Sequence, residues 1–205
     1  ASQLPNMGYG YAIEMPPIRI LALYNAVANG GRMVAPRLVK QVLNGDEVVE
    51  EFPTQVLVDK ICSDASLAAV RECLEETART GTAKQYFRDT TSFRVAGKTG
   101  TAKFAQSGIK YSDGYYLGTM VVYFPADNPK YSAIVVLYSG ETRGNFYGGS
   151  WAGPVFKQIA DHIYSTSNDW EPVLDGKKKC GSRPDIATGR MDAQNKVMAE
   201  LGIEY

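Results

Sequence analysis

Three candidate strands at 94–104, 115–124 and 131–139 follow one another along the chain, separated only by a polar loop (105–114) and a turn. Pro125-Ala126-Asp127-Asn128-Pro129 is a dense turn signal between the second and third. Parallel neighbours in a sheet need a crossover of about a dozen residues or more. Connections this short therefore predict an antiparallel meander, which restricts the chain to folds built around such a sheet.

The flanking segments read differently. Pro16-Pro17 precedes Ile18, Leu21, Leu23, Ala26 and Val27, a helix with prolines in its first turn that Asn29-Gly30-Gly31 stops. Residues 36–43 and 47–52 alternate around Asn44-Gly45-Asp46 and predict a β-hairpin. Ser63-Asp64 opens a second helix carrying Leu67, Val70, Leu74 and Ala78, with Gly81 at its end. A third helix spans 150–164, with Val155, Phe156, Ile159 and Ile163 on one side. Beyond 165 the chain turns polar, with a weak helical pattern only at 192–201. Helices, a hairpin and a run of strands make this an α+β pattern. Residues 1–164 are expected to form the packed unit and 165–205 a polar extension.

Composition narrows the function. The 205 residues hold 22 Lys plus Arg against 22 Asp plus Glu, a formal net charge of zero. A nucleic-acid binder usually carries a basic excess or stripe, so that class is set aside. No run of about 18 apolar residues occurs, and the N-terminus lacks the basic-then-apolar pattern of a signal peptide. Cys62, Cys73 and Cys180 show no CxxC spacing, and with His162 the only histidine a zinc site is poorly supplied. No metal or organic cofactor is expected. The cysteines read as unpaired, buried structural thiols, and His162 as a surface or packing residue.

The string with chemical content is Ala96-Gly97-Lys98-Thr99-Gly100-Thr101-Ala102, on the first of the three strands. A phosphate-binding loop would need a glycine where Ser92 stands, so Gly97-Lys98 is not one. Lys-Thr-Gly is instead one of three signatures of serine β-lactamases and penicillin-binding proteins, with Ser-x-x-Lys and Ser-Asp-Asn. Those enzymes acylate a serine with a substrate ending in a carboxylate. In that setting Lys98 brings positive charge to the carboxylate end of the cleft, and the Thr99 and Thr101 hydroxyls donate to the carboxylate. Gly100 leaves room for substrate backbone along the strand edge. The Thr101 backbone N–H supplies one oxyanion-hole donor, the other coming from the serine itself.

Further blocks in order carry the resemblance beyond three residues. Gly8-Tyr9-Gly10, Met15-Pro16-Pro17 and Tyr24-Asn25-Ala26-Val27-Ala28-Asn29-Gly30-Gly31 come first, then Val34-Ala35-Pro36-Arg37-Leu38-Val39. Thr80-Gly81-Thr82-Ala83, the Lys98 strand, Tyr123-Phe124-Pro125-Ala126-Asp127-Asn128-Pro129, Tyr147-Gly148-Gly149 and Ala152-Gly153-Pro154-Val155-Phe156 follow. From Gly8 to Tyr164 the chain resembles the C-terminal part of a class B penicillin-binding protein, a peptidoglycan D,D-transpeptidase. The resemblance implies a β-lactamase/transpeptidase-like fold and a substrate-binding set of Lys98, Thr99, Gly100, Thr101, Tyr147, Gly148 and Gly149. Tyr147-Gly148-Gly149 either shapes the cleft floor or simply turns the chain into the last helix. Stem peptides and β-lactam antibiotics are the implied ligands, with cell-wall synthesis proteins of the membrane as partners. The implied location is the outer face of the bacterial inner membrane.

The resemblance is incomplete. The one Ser-x-x-Lys string, Ser107-Gly108-Ile109-Lys110, lies downstream of Lys98 in a polar loop with a glycine inside. A loop does not hold serine and lysine one helical turn apart, so this string reads as coincidence. No Ser-x-Asn precedes Lys98. Both missing signatures would fit on polypeptide preceding Ala1, so the chain is expected to be a piece of a transpeptidase, inactive by itself. A non-enzymatic β-lactam sensor and a degenerate scaffold module of the same fold stay open, because each could keep Lys98. Three lysines, Lys177 to Lys179, read as a solvated charge run, too few to argue for a lipid surface.

Overall fold

The computed structural model describes residues 4–8, 10, 13–87, 93–103, 105, 108, 110–140, 146–167 and 199–200. The chain divides into two units, Ala1–Glu171 and Pro172–Tyr205; of the second only 199–200 are described. Ser107, Ile109 and most of the weak helical pattern at 192–201 lie outside the described residues.

The first unit begins with a short helix, α1 (Leu4–Gly8), followed by α2 (Pro17–Ala28). Proline at the first position of α2 costs nothing there, because that N–H has no partner inside a helix. Gly30 and Gly31 at φ 68° and 90° end it, and the Gly31 N–H donates to the Ala26 carbonyl at 2.8 Å. The next four strands form one antiparallel arm. β1 (Met33–Val34) pairs with β4 (Val56–Val58), and β2 (Gln41–Asn44) with β3 (Glu47–Glu51). Bonds from the Ala35 N–H to the Gln55 carbonyl and from the Phe52 N–H to the Lys40 carbonyl join the two pairs. The hairpin is thus shorter than the alternation predicts, and residues 36–40 are not strand.

α3 (Asp64–Arg79) follows, capped by Ser63, whose hydroxyl accepts from the Ser66 N–H at 3.2 Å. Arg71 on α3 reaches across to the C-terminus of α2, donating to the carbonyls of Val27 (2.9 Å) and Ala28 (2.7 Å). It satisfies two carbonyls that a helix end leaves without partners and sets a cation at the negative end of the helix. A short α4 (Lys84–Phe87) leads into the sheet of β5 (Ala96–Lys103), β6 (Tyr116–Phe124) and β7 (Tyr131–Tyr138), in that order and antiparallel throughout. A 3-10 turn at Tyr111–Asp113 lies between β5 and β6. The chain then enters α5 (Gly148–Thr166).

The central strand explains the layering. Met120, Val122 and Phe124 face one way and pack with Ala152, Phe156 and Ala160 of α5, Phe87 of α4, and Val135 of β7. Tyr123 faces the other way and packs with Ala96, Val27 of α2 and Leu67 of α3. With both faces covered, β6 reads as a continuous apolar run rather than an alternation. The sheet therefore lies between α4 and α5 on one face and α2 and α3 on the other.

Some expected core positions face solvent. Val70 on α3, Val155 and Ile159 on α5, and Ile18 and Leu23 on α2 are exposed. Each helix buries a narrower line than its apolar residues suggest, Ala152–Phe156–Ala160 on α5 being the clearest. Cys62 is half-buried and Cys73 exposed, both free. Cys73 corrects the buried-thiol expectation: six residues past Leu67, it is turned by about 240° from that buried position. His162 is exposed on α5, as read from the sequence.

α5 also contains Pro154. Proline has no N–H for the carbonyl four residues back, which is that of Ser150. The Tyr86 hydroxyl of α4 donates to that carbonyl at 3.3 Å. Its ring lies against Gly153, where a methyl group would collide with it. A break in the helix ladder and a missing side chain are thus both filled by one tyrosine.

Candidate active site

The register of β5 on β6 sorts the Lys-Thr-Gly residues. Directly opposed residues share a face, so Thr99 and Thr101, opposite Met120 and Gly118, lie on the α5 face. Lys98 and Gly100, opposite Val121 and Thr119, lie on the α2–α3 face. The exposed Lys98 ammonium curls to the strand edge and donates to the Thr99 carbonyl at 2.7 Å. That carbonyl therefore points away from β6. In an antiparallel strand the N–H and C=O of one residue point to the same side and the side alternates. Thr101 consequently presents its backbone N–H and C=O along the same outer edge, which has no other strand against it among the described residues.

The first turn of α5 fixes this edge from behind. The Gly148 N–H, one of the donors a helix N-terminus leaves unpaired, donates to the Thr101 hydroxyl at 2.8 Å. Accepting that bond leaves the hydroxyl its own proton to give. Gly148 lies directly on the β5–β6 ladder: any Cβ there would collide with the Gly100 carbonyl oxygen and stand 3.0 Å from the Thr119 nitrogen. Gly118 is required in the same way, since its Cβ would stand 2.8 Å from the Phe146 ring. Phe146 in turn stacks between Tyr116 and Trp151, with centroids 5.5 and 5.4 Å away.

Thr99 is buried, at 8% exposure, and its hydroxyl shares a 2.7 Å hydrogen bond with that of Thr82. A cavity of about 280 Å³ opens over this pair and is lined by Thr82, Lys84, Thr99, Thr101, Tyr147 and Gly149, among others. Of the seven residues expected at the site, Thr99, Thr101, Tyr147 and Gly149 meet in this cavity. Gly148 sits beneath it, and Lys98 and Gly100 lie on the other side of the same strand. Thr82 and Lys84 were missed as site residues, although Thr82 sits in the Thr80-Gly81-Thr82-Ala83 block that stood out in sequence. A larger cavity of about 540 Å³, lined by Glu72, Glu75, Arg79, Phe93 and Arg94 among others, lies away from the edge of β5.

No group of three or more His, Cys, Asp or Glu side chains among the described residues is placed to hold a metal ion. No described helix is long and apolar enough to cross a membrane.

Comparison with known proteins converges on one family. The family model described as the penicillin binding protein transpeptidase domain matches residues 2–161. The chain is 27% identical over 168 residues to a peptidoglycan D,D-transpeptidase FtsI homolog of Mesostigma viride, covering 76% of this chain and 27% of that protein. It is 28% identical over 178 residues to the penicillin-binding protein PbpB of Mycolicibacterium smegmatis, covering 82% of this chain and 26% of that one. The chain thus spans about a quarter of the length of these relatives. Among solved structures, penicillin binding protein 3 of Mycobacterium tuberculosis, complexed with aztreonam, superposes with a TM-score of 0.63 at 26% identity. That match covers 80% of this chain and 38% of the other. The fold, the ordered blocks and the family match agree: this chain belongs to the penicillin binding protein transpeptidase domain family.

Proposed function

We propose that this chain supplies the carboxylate-binding and oxyanion side of a serine-type peptidoglycan D,D-transpeptidase that also binds penicillin. The observation that carries the reading is the outer edge of β5, along which Thr101 presents its backbone N–H and the Lys98 ammonium bonds the Thr99 carbonyl, with the Thr101 hydroxyl on the α5 side of the strand. A stem peptide ending in D-Ala-D-Ala lies along that edge, its backbone pairing past Gly100. Its terminal carboxylate takes hydrogen bonds from Thr101 and the field of Lys98. The Thr99 hydroxyl, bonded to Thr82, shares its proton within that pair and holds the cleft wall. Tyr147, Gly148 and Gly149 shape the floor.

A serine then attacks the carbonyl of the penultimate D-alanine. The tetrahedral oxyanion is held by the Thr101 N–H and the N–H of the serine itself, a single such donor being worth roughly 3 kcal/mol. Collapse expels the terminal D-alanine, and an amine of a neighbouring stem peptide attacks the acyl-enzyme to form the cross-link. The natural protein acts at the outer face of the bacterial inner membrane, beside membrane proteins of cell-wall synthesis. Residues 1–164 supply this half of the site, and 165–205 are a polar C-terminal extension.

Because Ser107-Gly108-Ile109-Lys110, the one Ser-x-x-Lys string, reads from sequence as a polar loop segment with a glycine inside, the 205-residue chain alone is expected to form no stable acyl-enzyme. Mass spectrometry after incubation with benzylpenicillin tests both halves of the reading. The natural protein carrying this chain is expected to gain one penicilloyl group on a serine, and the isolated chain none. A stoichiometric adduct on the isolated chain, at Ser107 or elsewhere, would overturn the division of roles. Failure of the natural protein to acylate would remove the transpeptidase reading.

A further inference from the structure

The arm ends in a part that the rest of the molecule does not explain. β2 and β3 pair with each other in a two-stranded sheet and, among the described residues, make no substantial contact with any other helix or strand. A two-stranded hairpin without a helix or third strand against it is at best marginally stable in water. This one nevertheless exposes Val42, Leu43, Val48 and Val49, each between 43% and 62% accessible. Leu43 and Val48 are directly opposed and form an apolar pair on one face.

Charge indicates what covers them. Asp46 at the tip and Glu47, Glu50 and Glu51 of β3 are exposed, and none forms an ion pair among the described residues. The free edge of β3 therefore reads Glu-Val-Val-Glu-Glu along its length. Like charges directly opposite across a ladder are destabilising, and opposite charges contribute roughly 0.2–1 kcal/mol per pair. A second copy pairing through β3 would set glutamates against glutamates and valines. An anionic lipid surface would meet four carboxylates. A strand carrying Lys or Arg opposite Glu47, Glu50 and Glu51, and apolar residues opposite Val48 and Val49, satisfies every position. Addition of such a strand supplies the third strand that the hairpin lacks.

We propose that the free edge of β3 is a docking site for an extended segment of a partner protein, one that carries lysine or arginine opposite Glu47, Glu50 and Glu51 and an apolar pair opposite Val48 and Val49. The glutamates then act as selectors: they deter indiscriminate edge pairing and admit only a basic strand.

The test uses the 205-residue chain and a fluorescein-labelled octapeptide of lysine and valine whose core, Lys-Lys-Val-Val-Lys, is the antiparallel complement of β3, with binding followed by anisotropy at low salt. Saturable binding is expected. The variant E47K/E50K/E51K is expected to weaken it at least tenfold and to bind the matching glutamate–valine peptide instead. N-methylation of alternate residues of the lysine–valine peptide leaves its charge intact and removes its ladder hydrogen bonds. It is expected to cost a further tenfold or more. Equal binding of the N-methylated peptide would mean charge attraction without strand addition and would overturn the proposal, as would no binding of the parent peptide. Val48→Lys abolishing a dimer in sedimentation equilibrium would assign the edge to a second copy. Arm-dependent flotation with phosphatidylglycerol vesicles would assign it to lipid. Either outcome refutes a basic partner strand.

Discussion

The backbone N–H of Gly148 donates to the side-chain oxygen of Thr101 at 2.8 Å, so the first turn of α5 is tied to the strand that carries the Lys-Thr-Gly residues. Replacing Thr101 with valine removes the acceptor for a buried donor and is expected to cost about 1–3 kcal/mol in urea unfolding. Thr101→Ser, which keeps the oxygen, is expected to lose much less. Gly148→Ala forces a methyl group into the Gly100 carbonyl, with an expected loss of about 1–3 kcal/mol or more. An unchanged unfolding midpoint in both Thr101→Val and Gly148→Ala would contradict this packing.

Tyr86 is expected to be coupled to Pro154 through the Ser150 carbonyl. Tyr86→Phe removes the hydroxyl that serves this carbonyl and should cost about 0.5–1.5 kcal/mol. In the Pro154→Ala background the amide at position 154 can take the same carbonyl, so the Tyr86→Phe penalty should shrink. A double-mutant cycle reads the difference directly, and additive penalties would rule the coupling out.

Arg71 is expected to stabilise the end of a helix it does not belong to. Arg71→Ala breaks two charge-assisted bonds to the Val27 and Ala28 carbonyls, with an expected loss of about 1.5–3 kcal/mol. Hydrogen exchange should show the loss concentrated in the last turn of α2. Uniform loss of protection across the sheet would argue for a general packing role instead.

Burial pushes the Tyr123 phenol up from 10.0 to about 12; the Arg71 charge opposes the rise and the Glu75 charge adds to it. Below pH 10 both folded and unfolded states keep the proton. Between about pH 10 and 12 the unfolded phenol ionises while the folded one does not, so stability falls as pH rises through that window. Tyr123→Phe should flatten this part of the stability–pH profile relative to wild type. Parallel profiles for the two proteins would show that Tyr123 does not titrate as argued.

In the natural protein carrying this chain, Lys98→Ala is expected to slow acylation by penicillin at least tenfold, about 1.4 kcal/mol of barrier. Lys98 is exposed, so the melting temperature should barely move. Stopped-flow acylation together with calorimetry separates the two effects. Wild-type acylation with Lys98→Ala would place the ammonium outside the reaction.

Sequence reasoning reached the parts of this fold that local rules govern. β6 and β7 were legible because apolar runs beside turn signals need only neighbouring residues to be recognised, and the Ser63 cap because its side chain bonds three residues on. The pairing of β1 with β4 was not legible, since two- and three-residue strands show no period. Nor was the meeting of Thr82 with Thr99 across 17 positions, a tertiary contact that no local pattern announces. Alternation along the arm correctly signalled strands, but it could not say that no core lies beneath them. At the site, the motif singled out Thr99 and Thr101, which the fold brings to one cavity with Tyr147 and Gly149. The pleat alone sends Lys98 and Thr99 to opposite faces of β5, but only the register on β6 and the packing of its faces revealed that Thr99 lies on the α5 side.

The meander of β5, β6 and β7 also bears on how the chain folds. Each strand pairs with its neighbour in sequence, and α5 follows directly, so loop-closure entropy for this half is small. Contacts of short sequence separation form early and fast, whereas the closure of β1 on β4 must wait for the whole arm between them. The strand edge that carries Thr101 can therefore be set in register by residues that follow it, whatever the fate of the arm.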